Sequence, residues 1–213
     1  MSILDEIYKA LQIGNVKGAQ LKTQQALDNG VEPGSILEDA LIASMREVGE
    51  KFKKGEIFLP EVMMAAKAMQ AALDCLKPKL VETGVKPLGK VVIGTVKGDQ
   101  HDIGKNLVSM MMMGTGIEVI DLGTDVSPEK FINAAKESEA QIIALSALLT
   151  TTMIQQRVVI EELKKAGLRE KVKVMVGGAP VTESFAKEIE ADAYTKDAGS
   201  AAQKARELIE SMK

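Results

Sequence analysis

The amino-acid sequence predicts two domains of different class, an N-terminal four-helix bundle and a Rossmann-like (flavodoxin-like) domain built on a five-stranded parallel sheet. Apolar residues recur at helical spacing throughout residues 1–86, whereas from Leu88 onward short β-branched runs alternate with amphipathic helical stretches. The segment Glu82–Gly89, rich in polar residues and chain breakers, separates the two patterns. We therefore expect an α + α/β chain with domains at residues 1–86 and 87–213.

The first domain is predicted to contain four helices, each with its own start or stop signal. Gly14-Asn15 ends one helix and caps the next, and Pro33 stands where the first turn of a helix tolerates proline. Lys53-Lys54-Gly55 ends the third helix, and Pro60 opens the fourth. Short connections between four amphipathic helices indicate a small antiparallel bundle. The predicted helices span residues 3–11, 16–28, 33–53 and 60–80.

The second domain shows the regular alternation of strand and helix that produces a parallel sheet covered on both faces. The strands are nearly continuous apolar runs, which is typical of strands buried on both sides. The predicted strands are 91–96, 117–120, 142–145, 172–176 and 191–194, and the predicted helices are 103–113, 128–138, 153–166, 181–189 and 199–212. A ligand of such a domain is expected beyond the carboxyl ends of the strands.

Composition excludes several classes of partner and suggests a cellular location. A formal net charge of −3 and a pI near 5.4 give no electrostatic reason to expect nucleic acid or an anionic membrane as a partner. No apolar stretch reaches the roughly 18 residues of a membrane span, and the N-terminus lacks a basic signal region. The single cysteine, Cys75, excludes an internal disulfide and suits a reducing compartment. These features predict a cytoplasmic protein.

The most unusual residue is His101, the one histidine of the chain, which lies between the first predicted strand and the following helix. The surrounding segment is not a phosphate loop, because five residues separate Gly98 from Gly104 and Asn106 stands where a Ser or Thr is needed. A Gly-x-Gly-x-x-Gly fingerprint is also missing after the first strand. A lone histidine suits the lower axial ligand of a metal that brings its own equatorial ligands.

Three spaced motifs follow three strands of the predicted sheet: Asp99-x-His101-x-x-Gly104, then Ser146-Ala-Leu148, then Gly177-Gly178. Ser146 lies 45 positions after His101, and Gly177 lies 31 positions after Ser146. In this combination the chain resembles the cobalamin-binding domain of corrinoid proteins. Its helical half resembles the cap that precedes that domain in methionine synthase, and its length is similar to that of the stand-alone corrinoid proteins of methylamine, methanol, betaine and methoxyaromatic systems.

The resemblance implies a cofactor, cobalamin with its dimethylbenzimidazole base displaced, and a role for each motif. His101 would be the cobalt ligand, and Asp99 would accept a hydrogen bond from the other ring nitrogen. Thr152, or else Thr150 or Thr151, would place a hydroxyl on that carboxylate. Ser146 would bind the displaced base. The full set of expected cofactor-binding residues is Gly98, Asp99, Gln100, His101, Asp102, Ile103, Gly104, Ser146, Leu148, Thr150, Thr152, Gly177, Gly178, Tyr194 and Ala198.

The glycines of the set are expected to leave room for the nucleotide tail, because a bulky group needs backbone without side chains beside it. Leu148 would pack against the base, and the loop from Tyr194 to Ala198 would line the tail. The bundle would shield the upper face of the cofactor. The expected covering residues lie at the start of the fourth helix: Leu59, Val62, Met63 and Met64.

The function implied by the resemblance is methyl carriage rather than catalysis. A substrate-specific methyltransferase would place a methyl group on cob(I)alamin, and a second methyltransferase would pass it to an acceptor, as in methanogenesis or acetogenesis; a reductive activase is a further expected partner. One alternative is a cobalamin-binding subunit of an adenosylcobalamin-dependent isomerase. Another is a cobalamin-based sensor, although such proteins carry a DNA-binding domain and a tryptophan in the cap, and this chain has no Trp.

Overall fold

The computed structural model describes residues 2–213, which divide into two compact units. One unit extends to Pro87 and also includes Gly114–Gly116, and the other comprises Leu88–Met113 and Ile117–Lys213. No helix within residues 2–213 combines the length and the apolar character that crossing a membrane requires. The predicted fold class, a helical N-terminal region followed by a five-stranded parallel sheet with helices, is confirmed.

The first unit is entirely helical. Helix α2 packs against both α1 and α5, and α1 also contacts α4. The helices are α1 (Ile3–Gln12), α2 (Val16–Asp28), α3 (Pro33–Ser35), α4 (Ala43–Lys53) and α5 (Leu59–Thr83), with a π-helical segment, Ile36–Ile42, between α3 and α4.

Local capping sets the helix starts of the first unit close to where the sequence predicts them. The Asn15 side chain accepts a hydrogen bond from the Gly18 N–H at 2.9 Å and begins α2. The Glu61 carboxylate accepts from the Phe58 N–H at 2.8 Å and begins α5. The π-helical segment is not predicted, because its buried residues follow a spacing that suits an ordinary α-helix equally well.

The second unit is a parallel sheet with the strand order β2-β1-β3-β4-β5. Its strands are β1 (Lys90–Thr95), β2 (Glu118–Asp121), β3 (Ile142–Ser146), β4 (Lys173–Gly177) and β5 (Ala193–Tyr194). Its helices are α6 (Ile103–Met113), α7 (Pro128–Ser138), α8 (Ile154–Lys165), α9 (Glu183–Glu188) and α10 (Ala198–Ser211). One face of the sheet packs onto a core that includes Val92, Phe131, Ile143, Val159 and Val174.

Strand β5 is shorter than the sequence predicts, since it begins at Ala193 rather than at residue 191. The Asp192 carboxylate accepts a hydrogen bond from the Val174 N–H at 2.7 Å, and the Asp192 N–H donates to the Val174 carbonyl at 2.8 Å. The Asp192 side chain therefore accepts the hydrogen bond from a β4 backbone N–H that a main-chain carbonyl of β5 would otherwise accept.

The sheet order places the candidate site. Because β2 lies on one side of β1 and β3 on the other, the chain reverses its direction of winding between β1 and β3. Thr95 at the end of β1 pairs with Ser146 of β3, which pairs in turn with Gly177 of β4. The three predicted motifs thus begin side by side at the carboxyl edge of the sheet.

Candidate functional site

The loop after β1 brings a buried carboxylate and a half-exposed imidazole together. Asp99 is fully buried, whereas half of the His101 side chain is exposed. His101 Nδ1 lies 2.7 Å from Asp99 Oδ1, and the His101 backbone N–H donates to the same oxygen at 3.1 Å. The Thr95 hydroxyl donates to the His101 carbonyl at 2.8 Å. These contacts hold both the ring and its backbone.

The second oxygen of Asp99 is held by the segment that follows β3. The Thr152 hydroxyl donates to Asp99 Oδ2 at 2.6 Å, and the Leu148 backbone N–H donates to it at 2.8 Å. Thr152 is buried, whereas Thr150 and Thr151 are exposed, so the structure selects Thr152 among the three hydroxyls that the sequence leaves open. Asp99 therefore joins the loop after β1 to the start of α8.

These hydrogen bonds decide the charge of Asp99. Burial by itself raises the pKa of a carboxyl, but the donors from Thr152, Leu148 and His101 outweigh burial and hold the pKa of Asp99 well below its usual range. An ionised Asp99 can only accept, so the proton of a neutral His101 lies on Nδ1. The lone pair of Nε2 is then available to a metal.

The ends of β3 and β4 form the second part of the site. Leu148 is 43% exposed, and the Ser146 hydroxyl makes no hydrogen bond to any other residue in the described part of the chain. On the far side of β4, a side chain built at Gly177 would first meet the Thr195 carbonyl oxygen, 3.8 Å from its Cβ. The loop after β5 therefore runs beside Gly177. We call the place bordered by Ser146–Leu148, Gly177–Gly178 and this loop the candidate slot, since the sequence predicts the nucleotide tail there.

The glycines of the motifs differ in what surrounds them. A Cβ at Gly104 would have no neighbour within 4 Å, and one at Gly177 would make only ordinary contact. At Gly178 the backbone φ is +125°, and a Cβ would lie 1.7 Å from the Ala147 carbonyl oxygen. Gly178 is therefore required by the chain itself, whereas nothing within the described residues requires glycine at positions 104 and 177.

Several predicted cofactor-binding residues hold the loop together in the structure. The Gln100 side chain accepts from the Thr124 hydroxyl at 3.1 Å, and Asp102 accepts from Asn106 at 3.0 Å. Ile103 is 70% exposed beside them. Gly98 donates its N–H to Asp125 at 2.7 Å. Their contacts with a cofactor stay predictions.

The remaining residues that the sequence predicts beside the cofactor differ in how far they are exposed. Tyr194 ends β5 and is half-buried, and the Ala198 side chain is buried at the start of α10. Of the four residues expected to cover the cofactor, Met63 and Met64 are exposed and Leu59 is half-buried. Val62 is fully buried on α5. That these four residues cover a cofactor stays a prediction.

Sequence reasoning missed the residues that brace the site. Asp125, at φ 53°, accepts from Gly98 through its side chain and donates its N–H to the Asp99 carbonyl at 3.0 Å. Gln156 is fully buried in α8 and donates to carbonyls of both β3 and β4. Lys105 is buried and paired with Asp121. Of these residues, only Asp125 could have been proposed from the sequence, because it is an acidic residue in the loop after a predicted strand.

Two B12 binding domain profiles match the chain, one over residues 89–206 and the other over residues 3–77. Dimethylamine corrinoid protein 1 of Methanosarcina mazei is 48% identical over 208 residues, which cover 97% of this chain and 96% of that protein. Trimethylamine corrinoid protein 1 of Methanosarcina acetivorans is 46% identical over 188 residues, 87% of each chain.

Among solved structures, the chain is similar to one from the methanol:cobalamin methyltransferase complex of Methanosarcina barkeri. The TM-score is 0.88 at 32% identity, covering 98% of this chain and 80% of that one. These likenesses extend over both units and confirm the resemblance that the motifs indicate. The chain belongs to the B12-binding corrinoid proteins, the family that includes the methylamine corrinoid proteins.

Proposed function

We propose that this chain is a cytoplasmic corrinoid protein that carries methyl groups between two methyltransferases and catalyses neither transfer itself. The observation that carries the proposal is the Asp99–His101 pair, held by Thr152 at the carboxyl edge of the sheet in a chain of this family. Residues 87–213 would hold the cofactor, and residues 1–86 would form the helical domain.

The residues present fit a corrinoid. His101 offers a single nitrogen ligand, Nε2, on a half-exposed ring, which suits a metal whose other ligands come from a macrocycle. Exposed apolar side chains at Ile103, the first residue of α6, and at Leu148, in the segment after β3, suit a large, partly apolar ring. The open space at Gly104 suits a group from outside the chain, and no close contact with a described residue requires glycine at position 177.

Each residue of the pair has a defined task. Asp99 keeps a proton on His101 Nδ1 and orients the ring, so that Nε2 points its lone pair at one place. Thr152 and the Leu148 N–H keep Asp99 ionised and in position. The cobalt, when bound, supplies a centre that accepts a methyl group and gives it up again. The chain contributes binding and tuning, and the partner enzymes activate the methyl donor and acceptor.

The names of the relatives favour methylated amines as the source of the methyl group. Relatives named for dimethylamine are 48–51% identical to this chain and relatives named for trimethylamine 46–48%, so overall identity does not separate these two donors. The substrate would be chosen by the partner methyltransferase. We propose a reductive activase as a third partner. The isomerase subunit and the sensor are disfavoured, because the relatives are named as methylamine corrinoid proteins.

The proposal is tested by reconstitution. The purified chain is loaded with hydroxocobalamin, reduced, and mixed with a methylamine methyltransferase and ¹⁴C-methyl-labelled mono-, di- or trimethylamine. We expect label on the corrinoid only when the methyltransferase is present, and its passage to a thiol only after a second methyltransferase is added. His101→Ala should bind less cofactor and show a changed cobalt spectrum.

Two outcomes would contradict the proposal. Transfer without added methyltransferase would make the chain itself catalytic. Purification of the chain with an adenosyl upper ligand, together with no methyl uptake from any of the three amines, would favour the isomerase class.

A further inference from the structure

Gln156 is a buried side chain that joins the two neighbouring strands, β3 and β4, whose ends border the candidate slot. Its Nε2 group donates to the Leu145 carbonyl of β3 at 3.1 Å and to the Gly177 carbonyl of β4 at 3.0 Å. The next residue after Leu145 is Ser146, and the next after Gly177 is Gly178. The two carbonyls therefore belong to the last rungs of the ladder that carries both motifs.

The Gly177 carbonyl already has a ladder partner. It accepts from the Ala147 N–H at 3.2 Å as well as from Gln156. The Gly177 carbonyl would therefore still have a hydrogen-bond donor if Gln156 were replaced. What Gln156 adds is a fixed spacing, because one planar amide group spans two strands.

Burying the Gln156 side chain has a free-energy cost, so its presence is not explained by stability alone. Its Oε1 atom is buried and has no hydrogen-bond partner among the described residues. A buried acceptor without a donor is unfavourable, and an apolar side chain of similar length would avoid the penalty. A methionine would fill the same space with no orphaned atom.

The same stretch of chain also holds the histidine pair. Thr152, four residues before Gln156, donates to Asp99, and the turn between them runs directly into α8. Backbone hydrogen bonds from Gln155 to the Thr152 carbonyl at 2.9 Å and from Gln156 to the Met153 carbonyl at 3.1 Å stiffen this turn. The turn before α8 therefore contacts the Asp99–His101 pair through Thr152, and the first turn of α8 contacts the ends of β3 and β4 through Gln156.

We propose that Gln156 is a positioning residue that holds the carboxyl ends of β3 and β4 in fixed relative positions, and so fits the candidate slot bordered by Ser146–Leu148 and Gly177–Gly178 to the nucleotide tail of the corrinoid. This inference rests on the proposed function, since it takes the slot as the place of the tail. The inference goes beyond the proposed function, because it makes discrimination between corrinoids with and without the nucleotide tail depend on Gln156, which contacts neither the cobalt nor His101.

The test compares two corrinoids that differ only in the tail. Dissociation constants of the apo-protein are measured by absorbance titration for hydroxocobalamin and for diaquocobinamide, which lacks the nucleotide. The variant is Gln156→Met. The matched control is Gln155→Met, the same change one residue earlier on α8, at a half-buried side chain. Thermal unfolding of each apo-protein shows whether the fold is kept.

We expect Gln156→Met to raise the dissociation constant of hydroxocobalamin by about tenfold or more, in the range of other supporting contacts around metal cofactors. The constant for diaquocobinamide should change less than about twofold. Gln155→Met should leave both constants unchanged. A merely structural role would weaken both corrinoids together and lower the unfolding temperature.

The outcomes separate this inference from the function on which it rests. Equal weakening of the two corrinoids by Gln156→Met, or no weakening of either, would overturn the positioning role while corrinoid binding by the wild type stands. Failure of the wild type to bind either one would refute the proposed function itself.

Discussion

Asp99 is the residue on which the histidine depends, and its environment explains why a carboxylate can be buried there. Both oxygens are occupied: Oδ1 by two donors from His101, and Oδ2 by Thr152 and the Leu148 N–H. A buried charge is tolerated only when hydrogen bonds replace the lost water. Because the folded state lowers the pKa of Asp99, this residue stabilises the fold above its unfolded pKa, and that contribution disappears as the pH falls through the folded value.

Thr152→Val is predicted to weaken both the fold and the metal ligand. Valine keeps the shape of threonine but leaves Asp99 Oδ2 with one donor fewer, and a hydrogen bond to a charged group contributes about 1.5–3 kcal/mol. We expect the free energy of unfolding of the apo-protein to drop by that amount in urea titrations. Cobalamin affinity should drop about 10–100-fold.

The neighbouring threonine supplies the control for this change. Thr151 is exposed, so Thr151→Val should leave both the unfolding free energy and cobalamin affinity close to those of the wild type. Equal effects of the two substitutions would mean that the Thr152 hydroxyl does not support Asp99.

At the scale of the element, the strand ends contain glycines with opposite physical roles. Gly178→Ala is predicted to destabilise the apo-protein, because its Cβ would lie 1.7 Å from the Ala147 carbonyl oxygen and its φ is +125°. The strained backbone alone costs about 1–3 kcal/mol. A Cβ at Gly104, in the first turn of α6, would meet nothing within 4 Å, so Gly104→Leu should keep or raise the stability of the apo-protein.

The two glycine variants therefore separate folding from binding. Gly104→Leu should fold normally and take up far less cobalamin, as read by the absorbance of the purified holo-protein. Normal uptake by Gly104→Leu would show that the space beside Gly104 is not used by the cofactor. A larger side chain at position 178 is unsuitable for testing the slot, since its effect on folding would mask any effect on binding.

The packing of α1 against α4 predicts a pH dependence in the first unit. Burial, followed by the hydrogen bond to Glu47 and its negative charge, raises the pKa of Tyr8 to about 12. A pKa raised above the unfolded value of 10.0 stabilises the fold below about pH 10, and this contribution is lost as the pH rises through about 12. In a Tyr194→Phe background, tyrosinate absorbance near 295 nm should rise with a midpoint near 12.

The hydrogen-bonded carboxylate provides the matching change for that titration. Glu47→Gln removes the negative charge and should lower the midpoint towards 10. A midpoint near 10 already in the Tyr194→Phe protein would contradict the half-buried Tyr8–Glu47 contact. Circular dichroism at each pH distinguishes ionisation from unfolding.

For the whole molecule, the proposed cofactor should stabilise one unit more than the other. A ligand at 100 times its dissociation constant adds about 2.7 kcal/mol to the stability of the part that binds it. The two tyrosines report the units separately, since Tyr8 lies in the first and Tyr194 in the second. In protein labelled with fluorotyrosine, ¹⁹F NMR during urea unfolding should show hydroxocobalamin delaying the transition of Tyr194.

The same experiment can contradict the proposal for residues 87–213. An unchanged Tyr194 transition at saturating cofactor, or a delay confined to Tyr8, would place binding outside these residues. His101→Ala provides the comparison, since weaker binding should reduce the delay at the same hydroxocobalamin concentration.

Much of the fold could be predicted because its signals are local. The helix bounds of 103–113 and 128–138 agree with the structure, and the predicted strands are displaced by one or two residues. Periodic apolar residues and caps determine such elements within a few turns of chain. The π-helical segment Ile36–Ile42 and the short β5 escaped prediction, because the first shares its spacing with an α-helix and the second depends on Asp192 reaching β4.

The two fold classes, the carboxyl edge of the sheet as the place of the candidate site, and the motif around His101 could all be read from the amino-acid sequence. The folded structure was needed to show that Thr152 rather than Thr150 or Thr151 holds Asp99, that the Leu148 N–H joins it, and that Gln156 spans two strands. The contacts to Asp99 join residues 49 and 53 positions apart, so they depend on strand register and on the rotation of α8. Local spacing specifies neither quantity, because both arise from how the elements pack.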